Sequence, residues 1–388
     1  MIPQAMNEEQ ARVILTRLRA RQAAMVGLLE KFVRAESPTD AKASVDRFGR
    51  LVAAEWRRRR ARVGVVSQAH AGDHLRIVWS PAGATARPLL VLGHLDTVYS
   101  AGTLPTMPFR VSRGRAFGPG TFDMKGGLVM ALFAVDALLQ SKVQPRRPVI
   151  FLWTSDEETG SETSRALIER EARRSEAVLV LEPAGGPDGR LKTQRKGVGT
   201  AELRITGRAA HAGLDPQSGI NAVQEMALQL ARIARFNDPR RGTTVSPTQV
   251  EGGTRSNVIP AAARVVLDLR AERPSDMRKL ESRLGSLRPI LAGAKIELRG
   301  GFSRPPLERR ASAALFARAA QWGEILGLAL EETFAGGGSD GNFTAALGVP
   351  TLDGLGAVGE DPHSANENVV IRALPERAAL LAALLATI

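Results

Sequence analysis

The sequence predicts an α/β protein with a mostly parallel main sheet, interrupted by an inserted α+β domain. Short apolar runs alternate with helical periods over residues 60–192, and the pattern changes near Gly197 to strands of alternating polarity. Histidines and carboxylates follow the ends of the apolar runs. With 388 residues, 44% of them hydrophobic, the chain has room for two domains and a sizeable core.

The first domain is predicted from three apolar runs and one long helix. Strands are expected at Pro88–Gly93, Pro148–Trp153 and Ala177–Leu181, and a helix with an apolar face at Gly126–Gln140. Strands that alternate with helices form a largely parallel sheet with helices on both faces. Because ligands of such sheets bind beyond the carboxyl ends of strands, we expect the functional site there.

The second domain is predicted from a strand-helix-strand-strand-helix-strand order, which is the split ferredoxin-like arrangement. Its elements are Thr200–Thr206, Gly219–Arg235, Thr244–Glu251, Ala263–Ala271, Pro274–Leu287 and Lys295–Arg299. We place this domain at residues 196–305. The first domain then comprises residues 1–195 and 306–388, and ends with a helix near Ala311–Leu326, a strand near Pro350–Leu352 and a helix from Pro375.

Charge and composition exclude several classes of partner. The net charge is +13, but the arginines are scattered among acids, Arg57–Arg60 is the one tight run, and there is a single tyrosine for base stacking. We therefore expect no nucleic-acid partner; a basic surface can instead steer anionic substrates. No apolar run is long enough to span a membrane, and Met1–Phe32 is predicted to be one amphipathic helix rather than a secretory signal. The absence of cysteine fits a cytoplasmic protein.

The distribution of histidine is the main functional signal. Three of the five histidines lie in short motifs: His94 in Gly-His-Leu-Asp-Thr, His211 in Ala-His-Ala-Gly and His363 in Asp-Pro-His-Ser-Ala-Asn-Glu. Clusters of histidine and carboxylate without cysteine are typical of hydrolytic metal sites. The sequence therefore predicts a metal centre.

The candidate ligands lie at strand ends and turns. His94 and Asp96 point to the same side of an extended segment, so one can bind a metal while the other orients it. Asp123 lies in a glycine-rich turn, and its two carboxylate oxygens can bridge two cations. Glu157 and Glu158 follow a buried strand, where one can ligate a metal and the other act as a general base.

Two further residues complete the candidate set. Glu182 ends a third strand, and His363 lies in a proline-containing loop. The result is two histidines and three carboxylates, enough for two metal ions that share Asp123: His94, Asp123, Glu158, Glu182 and His363.

Each position taken alone also has a structural interpretation. His94 fits a buried, hydrogen-bonded histidine, and Asp123 fits the N-cap of the following helix. Glu157 and Glu158 fit an exposed acidic turn, although such a turn does not explain why they end an apolar strand.

Six motifs in order resemble the co-catalytic zinc peptidases and deacylases of the glutamate carboxypeptidase type. They are Gly-His-Leu-Asp-Thr-Val, Gly-Pro-Gly-Thr-Phe-Asp-Met-Lys-Gly-Gly, Asp-Glu-Glu-Thr-Gly-Ser, Leu-Glu-Pro, Ala-His-Ala-Gly and Asp-Pro-His-Ser-Ala-Asn-Glu. Acetylornithine deacetylase, succinyl-diaminopimelate desuccinylase and aminoacylase belong to the same group. The resemblance extends from about residue 85 to 370.

The resemblance implies a role for each candidate residue and two Zn²⁺ per subunit, with Co²⁺ or Mn²⁺ as substitutes. Asp123 bridges the ions; His94 and Glu182 complete one ligand set, and Glu158 and His363 the other. The remaining roles are general base for Glu157, orientation of His94 for Asp96, and oxyanion stabilisation across a dimer interface for His211. The inserted domain is then a dimerisation domain, and the peptide bond after Asp123 is often cis.

The resemblance also implies an amide hydrolase acting on a small peptide or N-acyl amino acid with a free carboxylate, glutamate being the first choice. The residues expected to bind that carboxylate are Asn257, Arg270, Gly338 and Ser339. Two alternatives stay open: a deacylase of the acetylornithine or succinyl-diaminopimelate type, and a non-catalytic binding protein on the same fold.

Overall fold

The computed structural model describes residues 6–80 and 86–388 and divides into two compact units. The larger unit comprises Met1–Gln194, Arg309–Ala335 and Ser339–Ile388; the smaller comprises Arg195–Glu308 and Gly336–Gly338. Within the described ranges, no helix combines the length and apolar character needed to cross a membrane.

Helices and strands are numbered in chain order. The helices are α1 (Glu8–Ala20), α2 (Gln22–Arg34), α3 (Lys42–Arg58), α4 (Gly126–Gln140), α5 (Arg165–Arg174), α6 (Ala222–Ile233), α7 (Pro274–Gly285), α8 (Arg309–Leu326), α9 (Gly341–Ala346) and α10 (Ala373–Thr387). The strands are β1 (Arg62–Val66), β2 (His74–Trp79), β3 (Leu89–His94), β4 (Arg110–Ser112), β5 (Arg115–Phe117), β6 (Val149–Thr154), β7 (Ala177–Val180), β8 (Leu191–Arg195), β9 (Gly197–Thr206), β10 (Thr244–Gly252), β11 (Ala262–Ala271), β12 (Lys295–Arg304), β13 (Glu332–Ala335), β14 (Thr351–Leu352), β15 (Gly359–Glu360) and β16 (Asn368–Val370).

The main sheet of the larger unit has the strand order β1-β2-β6-β3-β7-β14. Strands β6, β3, β7 and β14 are parallel, whereas β1 and β2 add an antiparallel edge. Alternate residues of β3 enter two different cores: Leu89 and Val91 pack on one face with α4 and α10, and Leu90 and Leu92 on the other with α5 and α9. The prediction of a mostly parallel sheet with helices on both faces is confirmed.

The N-terminal segment differs from its prediction. Instead of one helix over Met1–Phe32, α1 and α2 are separated at Arg21, whose backbone leaves helical geometry (φ −102°, ψ 11°). The Arg21 guanidinium donates to Asp136 at 3.2 Å and lies over the ring of Phe133, 4.5 Å from its centroid. Tertiary contacts of Arg21 therefore accompany the break between the two helices. The prediction of a single helix is wrong, and its residues 1–5 lie outside the described ranges.

The smaller unit has an antiparallel sheet of order β10-β11-β9-β12. With α6 between β9 and β10 and α7 between β11 and β12, this is the predicted ferredoxin-like arrangement. Alternate residues of β9 and β11 are buried, including Leu203 and Leu267, and pack with Met226 of α6 and Leu280 of α7.

Close packing beside the end of β7 generates a testable prediction about Gly356, whose N–H donates to Glu182 O at 2.9 Å. A Cβ at this position would lie 2.2 Å from Leu181 O and 2.6 Å from Glu182 O. Gly356→Ala should therefore lower the free energy of unfolding by about 1–3 kcal/mol. Gly27→Ala is the control, since nothing lies within 4 Å of its Cβ in α2, and it should raise stability by about 0.5–1 kcal/mol. Denaturant titration measures both, and equal effects would contradict the steric argument.

Candidate metal centre

The centre begins at the carboxyl edge of three parallel strands. His94 is the last residue of β3, Glu157 and Glu158 follow β6, and Glu182 follows β7. Because β3 pairs in parallel with both β6 and β7, the three strand ends meet at one edge. The order of these strands in the sheet thus brings together side chains that are far apart in sequence.

Asp123, in the turn before α4, lies between two pairs of candidate ligands: His94 with Glu182, and His363 with Glu158. Its Oδ1 lies 3.1 Å from His94 Nε2, and its Oδ2 lies 3.4 Å from Nε2 of His363, in the loop after β15. Glu182 Oε1 is 3.5 Å from His94 Nε2, and Glu158 Oε2 is 3.4 Å from His363 Nε2. The two carboxylate oxygens of Asp123 therefore face two different imidazoles, each with a glutamate of its own.

Glu157 lies within the same cluster. Potential ligand atoms of His94, Glu157 and Glu182 lie within 4.8 Å of one another, as do those of His94, Asp123 and Glu158. Glu157 is buried, with 8% of its surface exposed, so its carboxylate is close to the candidate ligands and largely out of bulk water. This position suits a group that exchanges protons beside the centre.

The electrostatics of the cluster fit divalent cations. Burial raises the pKa of the Asp123 carboxyl, but His363 and His94 outweigh it and the pKa is lowered. Burial lowers the pKa of His94, but the surrounding carboxylates, Asp123 first, raise it well above 6.5; Asp123 and Glu158 raise the pKa of His363 to about 10. No residue within the described ranges gives the buried Glu158 Oε1 a hydrogen-bond partner. The cluster has more carboxylates than imidazoles, and one carboxylate, that of Glu158, has a buried oxygen without a partner among the described residues. Such a set of donors suits metal ions.

Asp96 contacts two candidate ligands: His94 through its main-chain carbonyl and Glu158 through its carboxylate. Its main-chain carbonyl lies 2.9 Å from His94 Nδ1, whereas its carboxylate Oδ1 is 3.5 Å away. The carbonyl is thus the closer partner and assigns the proton to Nδ1, which leaves Nε2 free to bind a metal. Asp96 Oδ2 accepts from Thr39 Oγ1 at 2.9 Å and from Glu158 N at 3.2 Å. The residue therefore orients His94 mainly through its backbone and also holds the backbone of Glu158.

Glu367, the last residue of the motif that contains His363, also contacts the site. Its Oε1 accepts from Phe122 N at 2.8 Å and Asp123 N at 2.9 Å, and its Oε2 accepts from the Tyr99 hydroxyl. Asp123 itself has non-helical backbone angles and lies before the start of α4, so its interpretation as the N-cap is wrong. The Asp123–Met124 peptide bond is cis. Glu367 thus fixes the backbone that presents the bridging candidate.

His211 belongs to the smaller unit and is exposed. Its Nδ1 accepts from Gly213 N and Leu214 N, both at 3.1 Å. Because a nitrogen that accepts two N–H groups carries no proton, the neutral imidazole has its proton on Nε2. His211 therefore presents an N–H donor to solvent.

Arg270 and Asn257 also belong to the smaller unit. Arg270 donates to both carboxylate oxygens of Asp268, from Nε at 2.9 Å and from Nη2 at 2.7 Å. Asn257 is exposed, and its main-chain carbonyl accepts from Ala212 N at 2.9 Å. The guanidinium already has an internal carboxylate partner, whereas the side chain of Asn257 faces solvent.

The glycine-rich loop Gly336–Gly341 is held by hydrogen bonds to other parts of the protein and within itself. Gly338 O accepts from Arg195 Nη1 at 3.2 Å. The Ser339 hydroxyl donates to Asp353 Oδ2 at 2.5 Å, and its N–H donates to Asn342 Oδ1 at 2.9 Å. Ser339 is fully buried, and both of its donors are engaged within the protein; its role in substrate binding stays a prediction.

The contacts of Glu367 generate a testable prediction. Glu367→Ala leaves the N–H groups of Phe122 and Asp123 unpaired and should lower stability by about 3 kcal/mol. Glu367→Gln should cost less than about 1 kcal/mol, because the amide oxygen still accepts both N–H groups and its NH₂ can donate to Tyr99. Thermal unfolding of metal-free protein measures the difference, and equal losses would refute this division of roles.

Comparison with known proteins identifies the family of the chain. The model of peptidase family M20/M25/M40 matches residues 90–387. Carboxypeptidase G2 of Pseudomonas sp. (strain RS-16) is 32% identical over 378 residues, covering 94% of this chain and 89% of that protein. Succinyl-diaminopimelate desuccinylase of Dechloromonas aromatica (strain RCB) is 28% identical over 335 residues, covering 78% and 84%.

Solved structures share the fold. The aminopeptidase PepT of Bacillus cereus ATCC 10987 superposes with a TM-score of 0.78 at 21% identity, covering 94% of this chain and 98% of that one. An M20 family metallo-carboxypeptidase of Sulfolobus solfataricus gives 0.75 at 17% identity, covering 93% and 98%. The family resemblance inferred from six motifs is therefore confirmed, and the chain belongs to peptidase family M20/M25/M40, a family of metal-dependent peptidases.

Proposed function

We propose that the protein is a dinuclear zinc hydrolase that cleaves an amide bond and releases a C-terminal amino acid, glutamate first, from peptidyl or N-acyl substrates. The observation that carries the proposal is the position of Asp123, whose two oxygens face His94 and His363. The likeness to carboxypeptidase G2 supports release of a C-terminal residue.

The proposed ligands are His94, Asp123 and Glu182 for one ion, and Asp123, Glu158 and His363 for the other. Imidazole and carboxylate ligands suit zinc, and Co²⁺ or Mn²⁺ are proposed as substitutes. When bound, the ions supply Lewis-acid polarisation of the scissile carbonyl and a lowered pKa of water.

Glu157 is the proposed general base. Its buried carboxylate takes a proton from the attacking water and then delivers it to the nitrogen of the leaving amine. The adjacent Glu158 is a ligand in this proposal. Of the two neighbouring acids, Glu158 therefore binds the metal and Glu157 transfers the proton.

The proposed substrate contacts lie in the smaller unit. The Nε2–H of His211 is the proposed donor to the oxyanion, across a homodimer formed through this unit. Asn257, Arg270, Gly338 and Ser339 are proposed to bind the substrate carboxylate, with Arg270 exchanging Asp268 for the substrate. The absence of cysteine supports a cytoplasmic location.

A second candidate function is that of an N-acyl amino acid deacylase. The likeness to succinyl-diaminopimelate desuccinylase favours it, and the proposed chemistry at the metal centre is the same. The two candidates differ in the group that occupies the substrate pocket. Turnover of an N-acyl-glutamate compared with N-acetylornithine therefore separates them.

The hydrolase proposal predicts metal-dependent amide hydrolysis that requires Glu157. Chelator treatment should abolish hydrolysis of an N-acyl-glutamate or dipeptide, and Zn²⁺ should restore it. Glu157→Ala should retain zinc but lower kcat by about 10²–10⁴-fold, because the proton acceptor is lost. Glu162→Ala, an exposed acid of the same loop, is the matched control and should keep wild-type kcat. Wild-type protein that hydrolyses no such amide and holds less than about one metal per chain after zinc supplementation would instead favour a non-catalytic binding protein.

The proposed role of His211 predicts a loss in kcat without loss of metal. His211→Ala should lower kcat about 10²–10³-fold, the effect of removing one oxyanion donor, while zinc content stays at the wild-type value. His211→Gln, which keeps an N–H donor, should lose less activity. Steady-state kinetics with metal analysis tests this, and unchanged kcat in His211→Ala would remove the residue from the mechanism.

A further inference from the structure

His74, a histidine outside the predicted motifs, is fully buried at the start of β2. Strand β2 pairs antiparallel with β6, with Leu75 opposite Trp153, so His74 lies beside the end of β6. From that end the chain continues into the loop Ser155–Ser164, which carries Glu157 and Glu158. The position of the imidazole therefore relates directly to the backbone of the acid pair.

The imidazole contacts both ends of this loop. Its Nδ1 lies 2.8 Å from Ser155 Oγ, directly after β6, and its Nε2 lies 3.1 Å from Thr163 Oγ1, just before α5. Ser155 and Thr163 are eight positions apart in sequence, and one rigid ring spans the gap between their side chains.

The hydroxyl protons define how these contacts are made. Ser155 Oγ donates to Gly72 O at 2.7 Å, and Thr163 Oγ1 donates to Asp156 Oδ2 at 2.7 Å. Each hydroxyl has one proton, so in this arrangement both oxygens offer lone pairs to the ring and both ring nitrogens donate. An imidazolium donates an N–H to both hydroxyl oxygens at once. A neutral ring donates to one hydroxyl, and its other nitrogen accepts from the second hydroxyl once that hydroxyl has rotated.

The ring therefore bridges the two loop ends in either charge state. Burial lowers the pKa of His74, and the charges of Asp156, Asp340 and Asp96 oppose this effect. Asp73 also interacts with His74 electrostatically and is itself paired with Lys42. The bridge thus follows from geometry and hydrogen-bond capacity rather than from a particular protonation state.

Besides the bond from Ser155 to Gly72, further bonds act within the loop or at its middle. Asp156 Oδ2 accepts from the N–H groups of Thr163 and Ser164 at 2.7 and 3.2 Å, and the Ser161 hydroxyl donates to Asp340. These bonds close the loop upon itself or tie down one point. His74 instead connects both ends of the loop to a strand of the main sheet.

We propose that His74 is a positioning residue that clamps the loop Ser155–Ser164 and so holds Glu157 and Glu158 at the sheet edge. The consequence for catalysis rests on the proposed roles of Glu157 and Glu158. The clamp itself depends only on the contacts of His74 with Ser155 and Thr163.

The test uses variants that weaken the two contacts of the ring from either side. His74→Asn keeps an amide near the position of Nδ1, and His74→Gln keeps one near Nε2. Thr163→Val removes the exposed partner of Nε2, together with its bond to Asp156, without changing the core. His70→Gln, an exposed histidine four residues earlier, is the matched control. The full-length metal-free proteins are compared by hydrogen exchange, and the zinc-loaded proteins by kcat, KM and zinc content.

Both His74 variants and Thr163→Val should exchange amides of residues 155–164 about tenfold faster than wild type, with little change elsewhere. Their kcat should fall about tenfold or more while KM and zinc content stay close to wild type, because the base is displaced rather than removed. Combining His74→Gln with Thr163→Val should give less than the sum of the single effects. His70→Gln should match wild type throughout.

Two results would overturn the clamp: wild-type exchange over residues 155–164 in all three variants, or acceleration spread evenly over the larger unit, which indicates a general structural role. Altered exchange with unchanged kcat in an active enzyme would overturn the catalytic consequence. If zinc-loaded wild type is inactive, the proposed function fails, while the exchange measurement still decides the clamp. If the His74 variants do not fold, Thr163→Val measures the contribution of the Nε2 end of the clamp together with that of the Thr163–Asp156 bond, and wild-type exchange in it would still overturn the clamp.

Discussion

The candidate centre depends on holding several carboxylates close together around Asp123. Like charges at this distance repel, and each carboxylate also loses hydration on burial. The chain offsets this with imidazoles on both sides of Asp123 and with bonds to the backbone that carries the ligands. Glu367 holds the N–H of Asp123, and Asp96 holds that of Glu158. Glu367 and Asp96 thus position Asp123 and Glu158, and the surplus of negative charge in the cluster favours the binding of cations.

The main sheet makes this arrangement rigid. Three segments that carry candidate ligands leave adjacent parallel strands, whose buried side chains pack into cores on both faces. Close approach of backbones contributes as well: Gly356 lies against the carbonyls of Leu181 and Glu182, where a side chain has no room. The separation of the ligands is therefore set by strand spacing and backbone packing rather than by the flexible side chains alone.

The sequence predicted the parts of this site that follow from strand order. His94, Glu158 and Glu182 follow apolar runs, and the parallel sheet makes their meeting a geometric consequence. The sequence could not decide between bridging and N-capping for Asp123, because both need a carboxylate before a helix. The support of Asp123 by Glu367 comes from a residue 244 positions away, which no local pattern reveals. For Ser339, the preceding glycines predict free donors for a substrate carboxylate, and the sequence does not reveal that Asp353 and Asn342 accept from its hydroxyl and its N–H.

Three histidines differ in the chemistry that remains to their rings, because their Nδ1 atoms contact different groups. In His94 a main-chain carbonyl accepts from Nδ1, which directs the lone pair of Nε2 toward the carboxylates. In His211 two backbone N–H groups donate to Nδ1, so the outward Nε2 is a donor suited to a developing negative charge. In His74 a hydroxyl faces each nitrogen, and neither is left for a metal or a substrate. Because the partner of one ring nitrogen sets the chemistry of the other, the backbone groups beside His94 and His211 and the hydroxyls beside His74 decide what each ring can still bind or donate.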